Sequence, residues 1–164
     1  MSSGMMKIIN FIRLRGDTMA NVFDVAEYVL SKIGETTTMK LQKLVYYCQA
    51  WSLAWDGVPL FQEEFQAWMN GPVCNELYQA HKGLFEVKSG FFSEHTSDDP
   101  GFTQDNYDSM DSVIKHYGDK APFWLSELTH NEYPWKLARR GLSVGEHSTE
   151  IIPKESMQFY YEAL

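Results

Sequence analysis

The most chemically suggestive stretch is Gly141-Leu-Ser-Val-Gly145, which matches by letter the G-x-S-x-G turn that lifts a nucleophilic serine above a parallel sheet. Such a turn needs a strand entering it and a helix leaving it. Here Pro134-Trp-Lys-Leu-Ala-Arg-Arg140, with helical character, leads in, and a polar loop leads out. Only 19 residues follow Gly145, too few for an acid, a histidine and the rest of a sheet in hydrolase order. A hydrolase built on Ser143 and His147 is therefore the weakest of the functional readings, and no catalytic residue is assigned.

Metal chemistry finds no better footing. The five histidines, His81, His95, His116, His130 and His147, form no H-E-x-x-H pattern and no i, i+4 pair. Cys74 and His81 would share a helix face, but seven residues at roughly 1.5 Å each put them about 10 Å apart, too far for one zinc ion. No metal and no cofactor are expected, and no glycine-rich phosphate loop occurs. Asp105, Asp108 and Asp111 recur every third residue near the start of an expected helix. They suit the positive end of that helix, and they also suit docking of a basic partner.

The elements that must position these groups are mostly helical. Val22, Ala26, Val29 and Ile33 recur at helical spacing before Gly34. Thr36–Thr38 offer a cap to a long helix carrying Leu41, Leu44, Val45, Cys48, Ser52 and Trp55 on one face, ended by Gly57 and Pro59. Phe65, Ala67 and Met69 alternate with polar or bulky neighbours as in a short strand, which Asn70-Gly71 turns. Pro72 is placed in the first turn of a helix carrying Val73, Leu77, Tyr78 and His81, with Gly83 as its stop. Residues 86–93 are expected to pair with 65–69, and 94–101 to form a loop. Thr103 caps a helix to Tyr117. Short helices follow over 121–130 and 134–140, then a loop, and Pro153 opens a last helix. The fold class is mainly α, a compact single-domain bundle of about six or seven helices with a short two-stranded β element.

Composition narrows the function classes. The 164 residues suffice for one core without disulfide or metal support, and 15% aromatics enrich that core or a contact surface in rings. Two cysteines, Cys48 and Cys74, give no disulfide framework, fitting a cytoplasmic protein, and no run approaches a membrane span. Residues 1–18 carry Lys7, Arg13 and Arg15 around a short apolar patch and read as a loose arm or start-site extension, with the domain over 19–164. Without that arm the chain holds 11 basic and 21 acidic residues, a net charge of −10. Such a surface repels nucleic-acid phosphates and attracts a basic protein.

The run Leu41-Gln-Lys-Leu-Val-Tyr-Tyr47 through Trp51, Leu53, Pro59, Leu60, Phe61, Ala67-Trp68 and Gly71-Pro72-Val73 resembles the Panacea domain family, also described as SocA-like or phage-associated GepA-like proteins. A second block, Leu128-Thr129-His130 with Pro134-Trp135, resembles it too. The resemblance implies a mainly helical domain that binds protein: an antitoxin of a bacterial or prophage toxin–antitoxin pair, neutralising a cognate toxin by direct contact. The alternative it implies is a proteolytic adaptor that hands a toxin to a cytosolic protease. It brings no catalytic residues. Trp68 and Trp135 stand out among its positions as candidate partner contacts, beside Asp105, Asp108 and Asp111.

Overall fold

The computed structural model describes residues 20–164, so the arm expected over 1–18 lies outside the described residues. Helix α1 (Val22–Ile33) starts in a capping box, with the Asn21 side chain accepting from the Asp24 N–H and the Asp24 carboxylate accepting from the Asn21 N–H. A two-residue strand β1 (Thr36–Thr37) leads into α2 (Thr38–Asp56), capped by the Thr37 hydroxyl. At 19 residues α2 is about 28 Å long and is the axis of the fold.

The sequence suggested a single apolar face for α2, and the structure differs. Every residue from Leu41 to Ala50 is buried, because α2 is wrapped by its neighbours on all sides. Trp55, expected inward, is 52% exposed on the last turn. Three polar side chains inside this buried run satisfy irregular backbone elsewhere. Gln49 accepts from the Leu60 N–H at 2.7 Å and donates to the Phe61 carbonyl at 2.8 Å, pinning the connection after α2. Gln42 and Lys43 do the same for the hairpin that follows. Buried polar groups of both chain segments thus find partners at once.

That hairpin comprises β2 (Phe65–Trp68) and β3 (Gly71–Cys74), antiparallel, with Trp68 opposite Gly71 and Phe65 opposite Cys74. Pro72, expected to open a helix, lies within β3 opposite Ala67. The reason is local. Ala67 uses both backbone groups on its other side, donating to the Glu150 carbonyl and accepting from Arg139, each at 2.8 Å. The Ala67–Pro72 pair needs no ladder bond, so the missing proline N–H costs nothing there. Helix α3 (Asn75–His81) begins only after Cys74, leaving Val73 in the strand.

Strand β4 (Glu86–Val87) pairs with β1, Thr36 opposite Val87, and does not pair with 65–69 as the sequence suggested. Both edges of β2 are already taken, by β3 and by β5 (Ile151–Ile152), which gives a three-stranded sheet in the order β3-β2-β5. Helix α4 (Gln104–Tyr117) carries a Thr103–Asn106 capping box and stacks Tyr117 on Tyr47 with ring centroids 4.2 Å apart. Helices α5 (Pro122–His130), α6 (Tyr133–Ala138) and α7 (Lys154–Glu162) complete the described chain. The fold is mainly α with short antiparallel β elements. Among the described residues no helix is long and apolar enough to cross a membrane.

Candidate functional site

The β2–β3 hairpin is held by side chains as much as by its own ladder. From α2, Gln42 accepts from the Cys74 N–H at 2.9 Å and donates to the Cys74 carbonyl at 3.2 Å. Next to it the Lys43 amine donates to the Pro72 carbonyl at 3.2 Å. From α5 the Ser126 hydroxyl donates to the Asn70 carbonyl. From α6 the Trp135 indole N–H donates to the Trp68 carbonyl at 2.8 Å, and just beyond α6 Arg139 donates to Ala67. Segments from both halves of the chain therefore converge on ten residues of backbone.

The turn itself uses Gly71 in an unusual way. Neither Met69 nor Asn70 has a positive φ, so the turn is not the primed kind common in two-residue hairpins. The positive φ falls on Gly71, at +116°, where a Cβ would stand 2.6 Å from Lys43 Cε and 2.8 Å from Thr129 Oγ1. Gly71, Lys43 and Thr129 are thus packed without room for a methyl group. Both matched blocks of the sequence resemblance meet at this point.

Lys43 is 1% exposed, and burial pushes its amine down to about 7. Its neighbours on α3 and α5 are histidines, His81 and His130, both held below the usual imidazole range by burial and further lowered by the Lys43 charge. His81 Nε2 lies 3.0 Å from Gln42 Nε2, so its neutral ring accepts that amide N–H. Gln42 thus joins Cys74, which closes β3, to His81 at the end of α3. This replaces the shared helix face expected for that pair. The His130 ring stacks on Trp135 at 4.2 Å, and its buried Nε2 has no hydrogen-bond partner.

Above this junction lies a cleft of about 380 Å³ whose apolar wall is Met39, Trp68, Met69, Val73 and Tyr78, with Lys43 and His81 also lining it. Trp68 is half-buried, its ring edge-on to Tyr78 at 4.8 Å. Trp135 is 8% exposed and sits behind it, with the Arg139 guanidinium 5.0 Å from its ring. The first tryptophan faces the cleft, and the second supports its backbone.

Sequence reasoning missed the roles of Gln42, Lys43, Ser126, Arg139 and Glu132. Glu132 is 6% exposed and accepts from the Tyr47 and Tyr161 hydroxyls at 2.6 and 2.8 Å. Burial raises its carboxyl, and the two hydroxyl donors pull partly back. A lysine set directly before the run Leu44–Tyr47 on the strongest expected helix was the available signal for Lys43. Nothing local marked Glu132, whose partners lie 85 and 29 residues away.

The acidic trio is separate. Asp105, Asp108 and Asp111 are exposed on α4, but only Asp105 lies in the first turn. Asp108 accepts from Gln104, and Asp111 accepts from the Tyr28 hydroxyl. Ser143 and His147 lie exposed in the loop between α6 and β5, entered from a helix and not from a strand. The Ser143 N–H donates to the Glu146 carboxylate at 2.9 Å, and no hydrogen bond links Ser143 to His147. Among the described residues no group of three His, Cys, Asp or Glu could hold a metal.

The family model described as antitoxin SocA-like, Panacea domain, matches residues 41–136, from the start of the buried run of α2 to the middle of α6. No curated protein and no solved structure matches the chain. With more than half its length matched, and with the matched segments meeting at the Lys43–Gly71–Thr129 junction, the chain belongs to the antitoxin SocA-like, Panacea domain family.

Proposed function

We propose that the protein is the antitoxin of a toxin–antitoxin pair and neutralises its cognate toxin by direct, non-catalytic binding through the cleft beside Trp68. The observation that carries this reading is the convergence of the matched segments on one hairpin that presents an apolar, aromatic cleft. Apolar surface concentrated around a tryptophan is where binding energy collects in protein interfaces. The net charge of −10 over 19–164 favours a basic partner and speeds its approach. Asp105, Asp108 and Asp111 form a candidate steering patch, and Trp135 acts by holding Trp68 in place.

The test is co-expression with the product of the adjacent reading frame in the organism of origin. That product should arrest growth alone, and this protein should restore growth and co-purify with it. Rescue should persist in cells lacking cytosolic ATP-dependent proteases, which separates neutralisation by contact from delivery to a protease. Trp68→Ala should lose rescue while retaining its fold. Growth arrest that persists on co-expression with a folded, soluble wild-type protein would remove the antitoxin reading for that pair.

A further inference from the structure

Lys43 is a buried amine whose protonated form has nothing to balance it. Its amine has three N–H donors, yet the Pro72 carbonyl is its only hydrogen-bond acceptor among the described residues, and no carboxylate pairs with it. The ionisable groups facing it deepen the imbalance. His81 on α3 and His130 on α5 feel the Lys43 charge as a repulsion, and Arg139 adds a second cation behind His130. His130 Nε2 is a further buried nitrogen without a partner.

The cleft above differs from the acidic surface of the rest of the molecule. In a chain with 22 acidic residues, it is lined among the described residues by Lys43, His81 and His147 and by no aspartate or glutamate. The remaining wall is mainly Met39, Trp68, Met69, Val73 and Tyr78. Its complement is therefore an anion attached to an apolar group. Within a polypeptide, only the last residue carries a carboxylate and an apolar side chain on the same Cα. A chain end also enters such a cleft once, whereas an internal segment must enter and leave, burying peptide groups that the wall leaves unpaired.

We propose that this cleft receives the carboxyl terminus of the partner protein, the terminal carboxylate pairing with Lys43 and an apolar last side chain lying against Trp68, Met39 and Tyr78. The proposal rests on the reading of this chain as a protein-binding module and specifies what it binds. A carboxylate on Lys43 replaces an unbalanced buried charge by a charge-assisted pair, the change that rewards capture of chain ends elsewhere.

The probe is an N-acetylated hexapeptide ending in leucine, titrated into the full chain as the free acid and as the C-terminal amide, with backbone amide shifts as readout. The acid should shift residues of β2, β3 and α3, and the amide should bind about thirtyfold or more weakly, the lower range for removing one member of a buried charge pair. Lys43→Met should bring the acid down to the amide. Equal binding of acid and amide to wild-type protein overturns the proposal without depending on whether that variant folds. So does absence of binding by the acid, or equal binding by an amidated peptide carrying an internal aspartate. If the partner binds equally well after losing its last residues, the cleft assignment falls while the antitoxin reading stands. If the acid peptide is captured as expected but the adjacent gene product is not bound, the antitoxin reading falls and the cleft assignment stands.

Discussion

Replacing Gly71 by alanine tests the junction at its tightest point. The added Cβ would lie 2.6 Å from Lys43 Cε, 2.8 Å from Thr129 Oγ1 and 3.4 Å from Lys43 Cδ. Neither neighbour gives way cheaply. The Lys43 chain is buried with its amine on the Pro72 carbonyl, and the Thr129 hydroxyl donates to the Ser126 carbonyl at 2.7 Å. Overpacking of this kind costs about 1–3 kcal/mol. The backbone, at φ +116°, adds about 1–3 kcal/mol for a residue with a side chain. The sum, about 2–6 kcal/mol, is a large part of the roughly 5–15 kcal/mol that holds a domain folded. At about 2–4 °C per kcal/mol, the melting temperature should fall by about 5–20 °C. Gly83→Ala is the control, because Gly83 also has a positive φ, +88°, but an added Cβ there meets nothing within 4 Å. Urea denaturation followed by circular dichroism gives both losses, and their difference isolates the collision. If Gly71→Ala loses no more than Gly83→Ala, within about 0.5 kcal/mol, the junction is not close-packed as argued.

Lys43 makes stability depend on pH. Its amine titrates near 7 when folded and at 10.5 when exposed, so between these values the unfolded chain binds more protons and stability rises with pH. The slope approaches about 1.4 kcal/mol per pH unit, and Lys43→Met should flatten urea midpoints across pH 7–10. A triple change of Asp105, Asp108 and Asp111 to lysine should slow association with a basic partner and weaken its salt dependence, read by stopped-flow mixing. An unchanged on-rate in a folded variant would show that α4 is not the steering patch. Ser143→Ala should leave neutralisation and melting temperature unchanged. Loss of neutralisation in that variant, if folded, would return the loop between α6 and β5 to consideration.

What the sequence made legible was what short-range chemistry decides. Thr37 and Thr103 cap helices where capping residues precede apolar periodicity, and Gly34 and Gly57 follow α1 and α2. Pro72 misled because its preference for a first helical turn is local, while its place in β3 depends on Ala67 being bonded to Glu150 and Arg139, far along the chain. Two-residue strands such as β4 and β5 carry too little periodicity to specify a partner. The burial of Lys43 was hidden for the same reason: a lysine on a helix ordinarily reaches water, and what encloses it here is a hairpin about thirty residues on. Trp135 was read as a candidate partner contact, and its bond to the Trp68 carbonyl spans 67 residues, which no local pattern encodes.

The polar residues of α2 explain how the buried run Leu41–Ala50 can also organise the hairpin beside the cleft. Gln42, Lys43 and Gln49 each reach a backbone group of the segment between α2 and α3, so the path of that segment is read off the helix. The tightness of the fit makes the hairpin a rigid extension of the core. Trp68 lies on β2, its carbonyl is fixed by Trp135, and the residue opposite it, Gly71, is pressed against Lys43. If Trp68 is the contact proposed above, a side chain placed this way loses little conformational freedom on binding, which strengthens association without adding contacts. The cost is a buried amine whose protonated form has no counter-ion among the described residues. A fold selected for stability alone would do better with methionine at position 43. A lysine next to a cleft whose described lining holds no carboxylate is understandable if a partner's carboxylate supplies the missing charge.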